Sequence, residues 1–112
     1  MMNLKTEKQG NIQVVFVHEE RLDANNSEYL KAEMVRLFES GAHEMLIDLK
    51  EVRFIDSSGL GVLVSGFKNA STHQGSLKLC SLQSQVKSMF ELTRLHRVFD
   101  IFTSVDEALD SY

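Results

Sequence analysis

The chain has one cysteine, Cys80, so it cannot close an internal disulfide. A lone thiol fits a reducing compartment. Proline and tryptophan are absent, which says little about function. No apolar run approaches the roughly 20 residues of a membrane-spanning helix. Met1 to Gly10 is polar, without a signal-peptide hydrophobic region. A cytoplasmic protein without membrane insertion is therefore expected. Twelve bases against sixteen acids give a formal net charge of −4, and no Lys/Arg cluster stands out. No nucleic-acid partner is expected from such a distribution. The 112 residues suffice for one domain with a real core, so residues 1–112 are read as a single domain. No linker, low-complexity tract or internal repeat is visible.

Several chemistries fail on the residues they need. His18, His43, His73 and His96 are scattered, and Cys80 has no His or Cys at ligand spacing. No metal and no cofactor are expected. A dinucleotide fingerprint starting at Gly59 and Gly61 would need glycine where Val64 stands. A phosphate-binding loop from Gly61 to Gly66 would need lysine where Phe67 stands. Ser57 lies between a strand and a helix, as an elbow nucleophile does, but the flanking glycines of Gly-x-Ser-x-Gly are missing. No histidine has a sequence reason to reach Ser57. The chain is expected not to be an enzyme, and no catalytic residue is assigned.

The informative stretch runs from Phe54 to Val64, with Asp56-Ser57-Ser58-Gly59-Leu60-Gly61 at its centre. Leu60, Leu63, Val64, Phe67 and Ala70 fall on one helix face, so Asp56 and Ser57 sit where a strand gives way to a helix. Either can cap that helix, because a side-chain oxygen there accepts from a free backbone N–H of the first turn. The same turn is electropositive, so a phosphate on an exposed serine would meet free donors. An ordinary cap is the plainer reading of the same residues. The helix is expected from Ser58 to about Thr72. Its Gly59, Gly61 and Gly66 each weaken it by roughly 1 kcal/mol relative to alanine. That cost points to close backbone approach, to the sheet or to a partner. Gly61 and Ser65 share a face of small side chains.

The rest of the chain alternates. Leu4 to Lys8 reads as an edge strand, Gln9-Gly10-Asn11 as a hairpin turn, and Ile12 to Val17 as a mostly buried strand. His18 to Arg21 is a polar connection. Asn25 and Glu28 resemble a capping box ahead of a helix carrying Leu30, Met34, Leu37 and Phe38. Ser40-Gly41 ends that helix. Glu44 to Leu49 reads as a central strand, followed by a loop at Lys50 to Arg53. Leu77 to Cys80 is a strand, and Ser84 to Thr93 a helix. Val98 to Phe102 is a last short strand. Ser104 and Glu107 form a capping box for a final helix with Ala108 and Leu109 inward. The order β-β-α-β-α-β-α-β-α predicts an α/β fold with a mixed central sheet, a leading hairpin and about four helices.

Asp56-Ser57-Ser58-Gly59-Leu60-Gly61 resembles the signature of STAS domains, in particular the bacterial anti-sigma factor antagonists. Leu22-Asp23-Ala24-x-Asn26 and its neighbour Asn25 match a second, separate part of the pattern. The resemblance implies phosphorylation at Ser57 and a binding face of Asp23, Asn25, Asp56, Ser57 and Ser58. Ser65 and Lys68 are added from their place off the apolar stripe. On purely local grounds Ser58 is an equally good acceptor. The implied partners are an anti-sigma factor that is also a serine kinase with a histidine-kinase-like ATPase fold, and a PP2C-type serine phosphatase. The implied mechanism is partner switching, with the unphosphorylated form sequestering the kinase. The alternative is a STAS subunit regulating a non-sigma target, such as a biofilm, secretion, stress-sensing or lipid-transport complex. A monomer is expected, since no large unpaired apolar stripe is evident.

Overall fold

The computed structural model describes residues 1–112. Two strands, β1 (Leu4–Gln9) and β2 (Ile12–Val17), form the leading hairpin. Gly10 makes its turn at φ 61, which glycine adopts without a Cβ clash. Then come β3 (Arg21–Leu22), α1 (Ser27–Glu39), β4 (Glu44–Asp48), β5 (Phe54–Ile55) and α2 (Ser57–Thr72). β6 (Ser76–Cys80), α3 (Ser84–Leu92), a 3₁₀ turn at Leu95–Arg97, β7 (Ile101–Phe102) and α4 (Val105–Leu109) complete the chain. The main sheet has the order β1-β2-β4-β6-β7. Only the β1–β2 pair is antiparallel, so the sheet is mixed as expected.

Alternation along the strands sorts side chains into two layers. Val15, Val17, Met45, Ile47, Leu77 and Leu79 face α1, α2 and α3 in the larger core. Val14, Leu46 and Cys80 face the opposite way and are covered by Ala108 of α4. Tyr112 completes that cover by donating its hydroxyl to the Met45 carbonyl. Lys78 lies over the Phe102 and Tyr112 rings at 5.6 and 4.3 Å.

Several expected boundaries move. The first helix is not capped by a box at Asn25 and Glu28. Its N-cap is Asn26, whose side chain makes no cap bond. That side chain instead donates to the Arg21 carbonyl at 2.8 Å and accepts from Asp23 N–H at 3.0 Å, so it fixes the loop rather than the helix. The polar connection after β2 contains a strand, because Arg21–Leu22 pairs with Phe54–Ile55 in a separate two-stranded parallel sheet. Val98 to Phe102 is strand only at Ile101–Phe102. Upstream, Arg94 at φ 61 starts the 3₁₀ turn, and Val98 N–H bonds back to Leu95. In α4, Ser104 caps Glu107 N–H at 3.1 Å. The Glu107 carboxylate reaches Thr103 N–H, one residue short of the expected reciprocal partner. Ala108 is buried and Leu109 half-buried.

Cys80 is buried and free. Burial pushes its thiol from 9.0 up to about 11. Because the folded value lies above the unfolded one, this group favours folding below the ordinary thiol range. That contribution is lost as pH rises from about 9 toward 11. Tyr112 is also shifted upward by burial and acts with the same sign. The melting temperature is expected to fall steeply between these pH values. At neutral pH a thiol reagent should label Cys80 only as fast as the protein opens. Rapid labelling of the native protein would contradict this burial.

Candidate functional site

The short β3–β5 sheet brings two distant loops together. Arg53 and Phe54 N–H both bond the Glu20 carbonyl, at 2.7 and 3.1 Å. Asp56 N–H bonds Leu22 O at 3.3 Å. These bonds place the 23–26 loop against the first turn of α2. Asp56 is extended (φ −110, ψ −174) and caps α2, accepting from Gly59 N–H at 3.0 Å. Its second oxygen accepts from Ala24 N–H at 3.2 Å. One carboxylate thus ties the helix start to the neighbouring loop. The helix begins at Ser57, one residue earlier than expected.

Asp23 organises the facing loop. Its carboxylate accepts from Asn25 N–H at 3.0 Å and from Arg21 Nε at 3.1 Å. Its carbonyl accepts from Asn26 and Ser27 N–H, where α1 starts. Arg21 also lies 4.9 Å from the centre of the Phe54 ring.

Ser57 is exposed and Ser58 half-buried. Ser57 is the first helical residue, where backbone N–H groups have no intrahelical acceptor. Asp56 satisfies that of Gly59, which leaves those of Ser57 and Ser58 for solvent or an anion. The helix dipole at the exposed hydroxyl favours negative charge, and the neighbouring Asp56 carboxylate opposes it.

The glycines separate by role. A Cβ on Gly59 would lie 2.5 Å from Leu22 O and 2.8 Å from the Ile55 side chain. One on Gly66 would lie 2.7 Å from Met34 Sδ. Both let α2 approach its neighbours. A Cβ on Gly61 would meet nothing within 4 Å, although Gly61 lies inside α2. It forms part of an open groove between α1 and α2 lined by Ala24, Ser27, Glu28, Lys31, Ser58, Val62 and Ser65.

The structure therefore gathers Asp23, Asn25, Asp56, Ser57 and Ser58 at one end, and Ser65 in the adjoining groove. Lys68 is exposed but stands apart, roughly 16 Å along the helix from Ser57 at 1.5 Å per residue. Leu60 and Leu63 are buried, and Val64 and Phe67 pack partly buried against the core. Three features escaped the sequence reading: exposed Phe54 beside Arg21, the cross-link from Asp56 to Ala24, and the open position at Gly61. The first had a signal, since Ile55 pointing inward forces Phe54 outward in a strand; the third had one in the small Gly61–Ser65 face, although the close approach expected at Gly61 is absent; the second had none.

Asp56→Ala removes the cap and the cross-link. It is expected to lower stability by about 1 kcal/mol, or about 4 °C in melting temperature. An unchanged melting temperature would show the cap to be dispensable.

The sequence profile of the STAS domain matches residues 3–108. The anti-sigma-B factor antagonist of Bacillus subtilis is 37% identical over 95 residues, covering 85% of this chain and 84% of that protein. The anti-sigma F factor antagonist of Paenibacillus polymyxa is 26% identical over 110 residues, covering 96% and 94%. The crystal structure of an anti-sigma factor antagonist from Mycobacterium paratuberculosis superposes with a TM-score of 0.88 over 99% of this chain and 93% of that one. At 21% identity that likeness is one of fold. The chain belongs to the STAS domain family and, within it, to the anti-sigma factor antagonists.

Proposed function

We propose that this chain is a binding module whose affinity for an anti-sigma factor is set by one phosphate on Ser57. In its unphosphorylated form it sequesters an anti-sigma factor that is itself a serine kinase with a histidine-kinase-like ATPase fold. The sigma factor is thereby released. The kinase transfers the γ-phosphoryl group of ATP to the Ser57 hydroxyl, and the complex dissociates. A PP2C-type phosphatase hydrolyses the phosphoserine and restores the binding form. The chain supplies the acceptor and the surface, and the partners supply the catalysis.

The observation that carries this reading is the exposed Ser57 hydroxyl on the first turn of α2, beside a loop held in place by Asp56. A phosphate adds about −1.5 to −2 charge and three acceptor oxygens. The free N–H groups of Ser57 and Ser58 accommodate it inside the domain, so the fold stays unchanged. Across a closed interface the same group would be desolvated next to Asp56, at a cost of several kcal/mol. The contact surface is Asp23, Asn25, Asp56, Ser57 and Ser58, with Ser65 in the groove and Lys68 at the periphery. Phe54 and Arg21 join it as an exposed aromatic and cation at its edge, residue types that often anchor interfaces.

Affinity capture from the protein's own cells tests this. Ser57→Ala as bait is expected to retain a protein with an ATPase kinase domain, and Ser57→Asp to lose it. Retention of transporter, secretion or stress-complex subunits by both baits would instead identify a constitutive subunit of another assembly.

A further inference from the structure

We propose that β1 is a self-association edge, through which two copies of this chain join their sheets antiparallel. This surface is independent of the Ser57 site, and its success or failure leaves the phosphorylation reading untouched. β1 is the outermost strand of the sheet. His18 N–H bonds Asn3 O at 2.9 Å, and the register pairs Leu4 with Val17 and Lys5 with Phe16. In an antiparallel ladder the bonded pairs alternate. So Asn3, Lys5, Glu7 and Gln9 turn their backbone groups toward β2, and Leu4, Thr6 and Lys8 turn theirs to the open edge. Six residues of strand thus present an unpaired template of the kind that invites another strand.

Lysines on an edge normally repel a second strand. Here Glu7 turns them into a register rule. Lys5 and Glu7 lie on one face, 3.2 Å apart. In a two-fold antiparallel pairing, the outward residues of one copy must bond those of the other. With Thr6 opposite Thr6, Lys5 of each copy stands opposite Glu7 of the other in the close, non-bonded position. Shifting by the smallest allowed step sets Lys5 against Lys5, or Glu7 against Glu7. Only one register is complementary, and it closes an alternating square of four charges.

The opposite face of the same edge adds apolar area. Met2 and Leu4 pack partly buried against the core, and Tyr29 of α1 is 51% exposed. Together with Thr6 they line an open groove of about 380 Å³ between β1 and α1. A second copy seated on β1 would cover this groove.

Sedimentation equilibrium from micromolar to millimolar protein tests the proposal. The wild type is expected to show a monomer–dimer equilibrium that weakens with salt. Lys5→Glu and Glu7→Lys should each raise the dimer Kd by about tenfold or more, since two attractive cross-strand pairs become repulsive. Lys5→Glu with Glu7→Lys together should restore it. Thr6→Pro deletes only an outward N–H and should abolish dimerisation while circular dichroism stays native. A wild type that remains monomeric at millimolar concentration overturns the proposal. So does a dimer that survives Thr6→Pro, or a double exchange that fails to rescue.

Discussion

The Ser57→Asp protein is expected to fold like the wild type and to bind the anti-sigma kinase about a hundredfold more weakly. Both halves follow from position. Ser57 is exposed, so the substitution removes no packing. An acid on the first turn of a helix is favoured by the free N–H groups and the dipole, typically by 0.3–1 kcal/mol, so the melting temperature should hold or rise slightly. At the interface the added carboxylate meets Asp56 after water is expelled. A penalty of about 3 kcal/mol corresponds to roughly a hundredfold in Kd. Ser57→Ala should bind like the unmodified wild type, and ATP with active kinase should no longer dissociate it. Titration calorimetry of the three proteins, with circular dichroism melts alongside, separates the two halves. An unfolded Ser57→Asp protein would turn the interface argument into one about stability. A folded one with wild-type affinity would remove the switch from this residue.

Gly59→Ala and Gly61→Ala, two residues apart on one helix, are expected to act in opposite directions on stability. The added methyl at Gly59 would lie 2.5 Å from a backbone oxygen, Leu22 O. Backbone cannot swing aside as a side chain can, so α2 and the β3–β5 sheet must separate. A loss of about 2–3 kcal/mol, or about 8–12 °C, is expected. Binding should fall with it, because the same movement separates Asp56 from Ala24. At Gly61 the methyl meets nothing within 4 Å, and alanine improves the helix by about 0.5–1 kcal/mol. The protein should melt higher and yet bind its kinase about tenfold more weakly, if the groove floor receives the partner. Gly61→Ala with unchanged affinity would place the contact elsewhere on α2. Gly59→Ala with an unchanged melting temperature would contradict the close approach.

The elements that bury apolar surface were legible in the sequence, the strands as short apolar runs and the first helix by its period. Ile12–Val17 lies where its run sets it, the strand expected over Glu44 to Leu49 ends one residue earlier at Asp48, and the Leu30-Met34-Leu37-Phe38 stripe lies within its helix. The helix start at Asp56-Ser57 was legible to within one residue from cap chemistry. The β3–β5 sheet was not, since two residues carry no period and their pairing spans the whole of α1. The N-cap of the first helix lies one residue past the expected one, and the Asn26 side chain holds its own loop at Arg21 and Asp23 instead of capping the helix. At the site, residue identity came from the signature, whereas the tether from Asp56 to Ala24 joins residues 32 apart. Nor could sequence separate Gly59 from Gly61, whose difference lies in what stands opposite each.

Phosphate on Ser57 is proposed to set partner affinity. Intact-mass and peptide mass spectrometry on the protein purified from its own cells tests it most directly. The predicted result is a partial addition of one phosphoryl group, localised to Ser57, whose occupancy changes between growth and stress. A phosphate confined to Ser58, or none under either condition, would contradict it and leave Asp56-Ser57 as a helix cap.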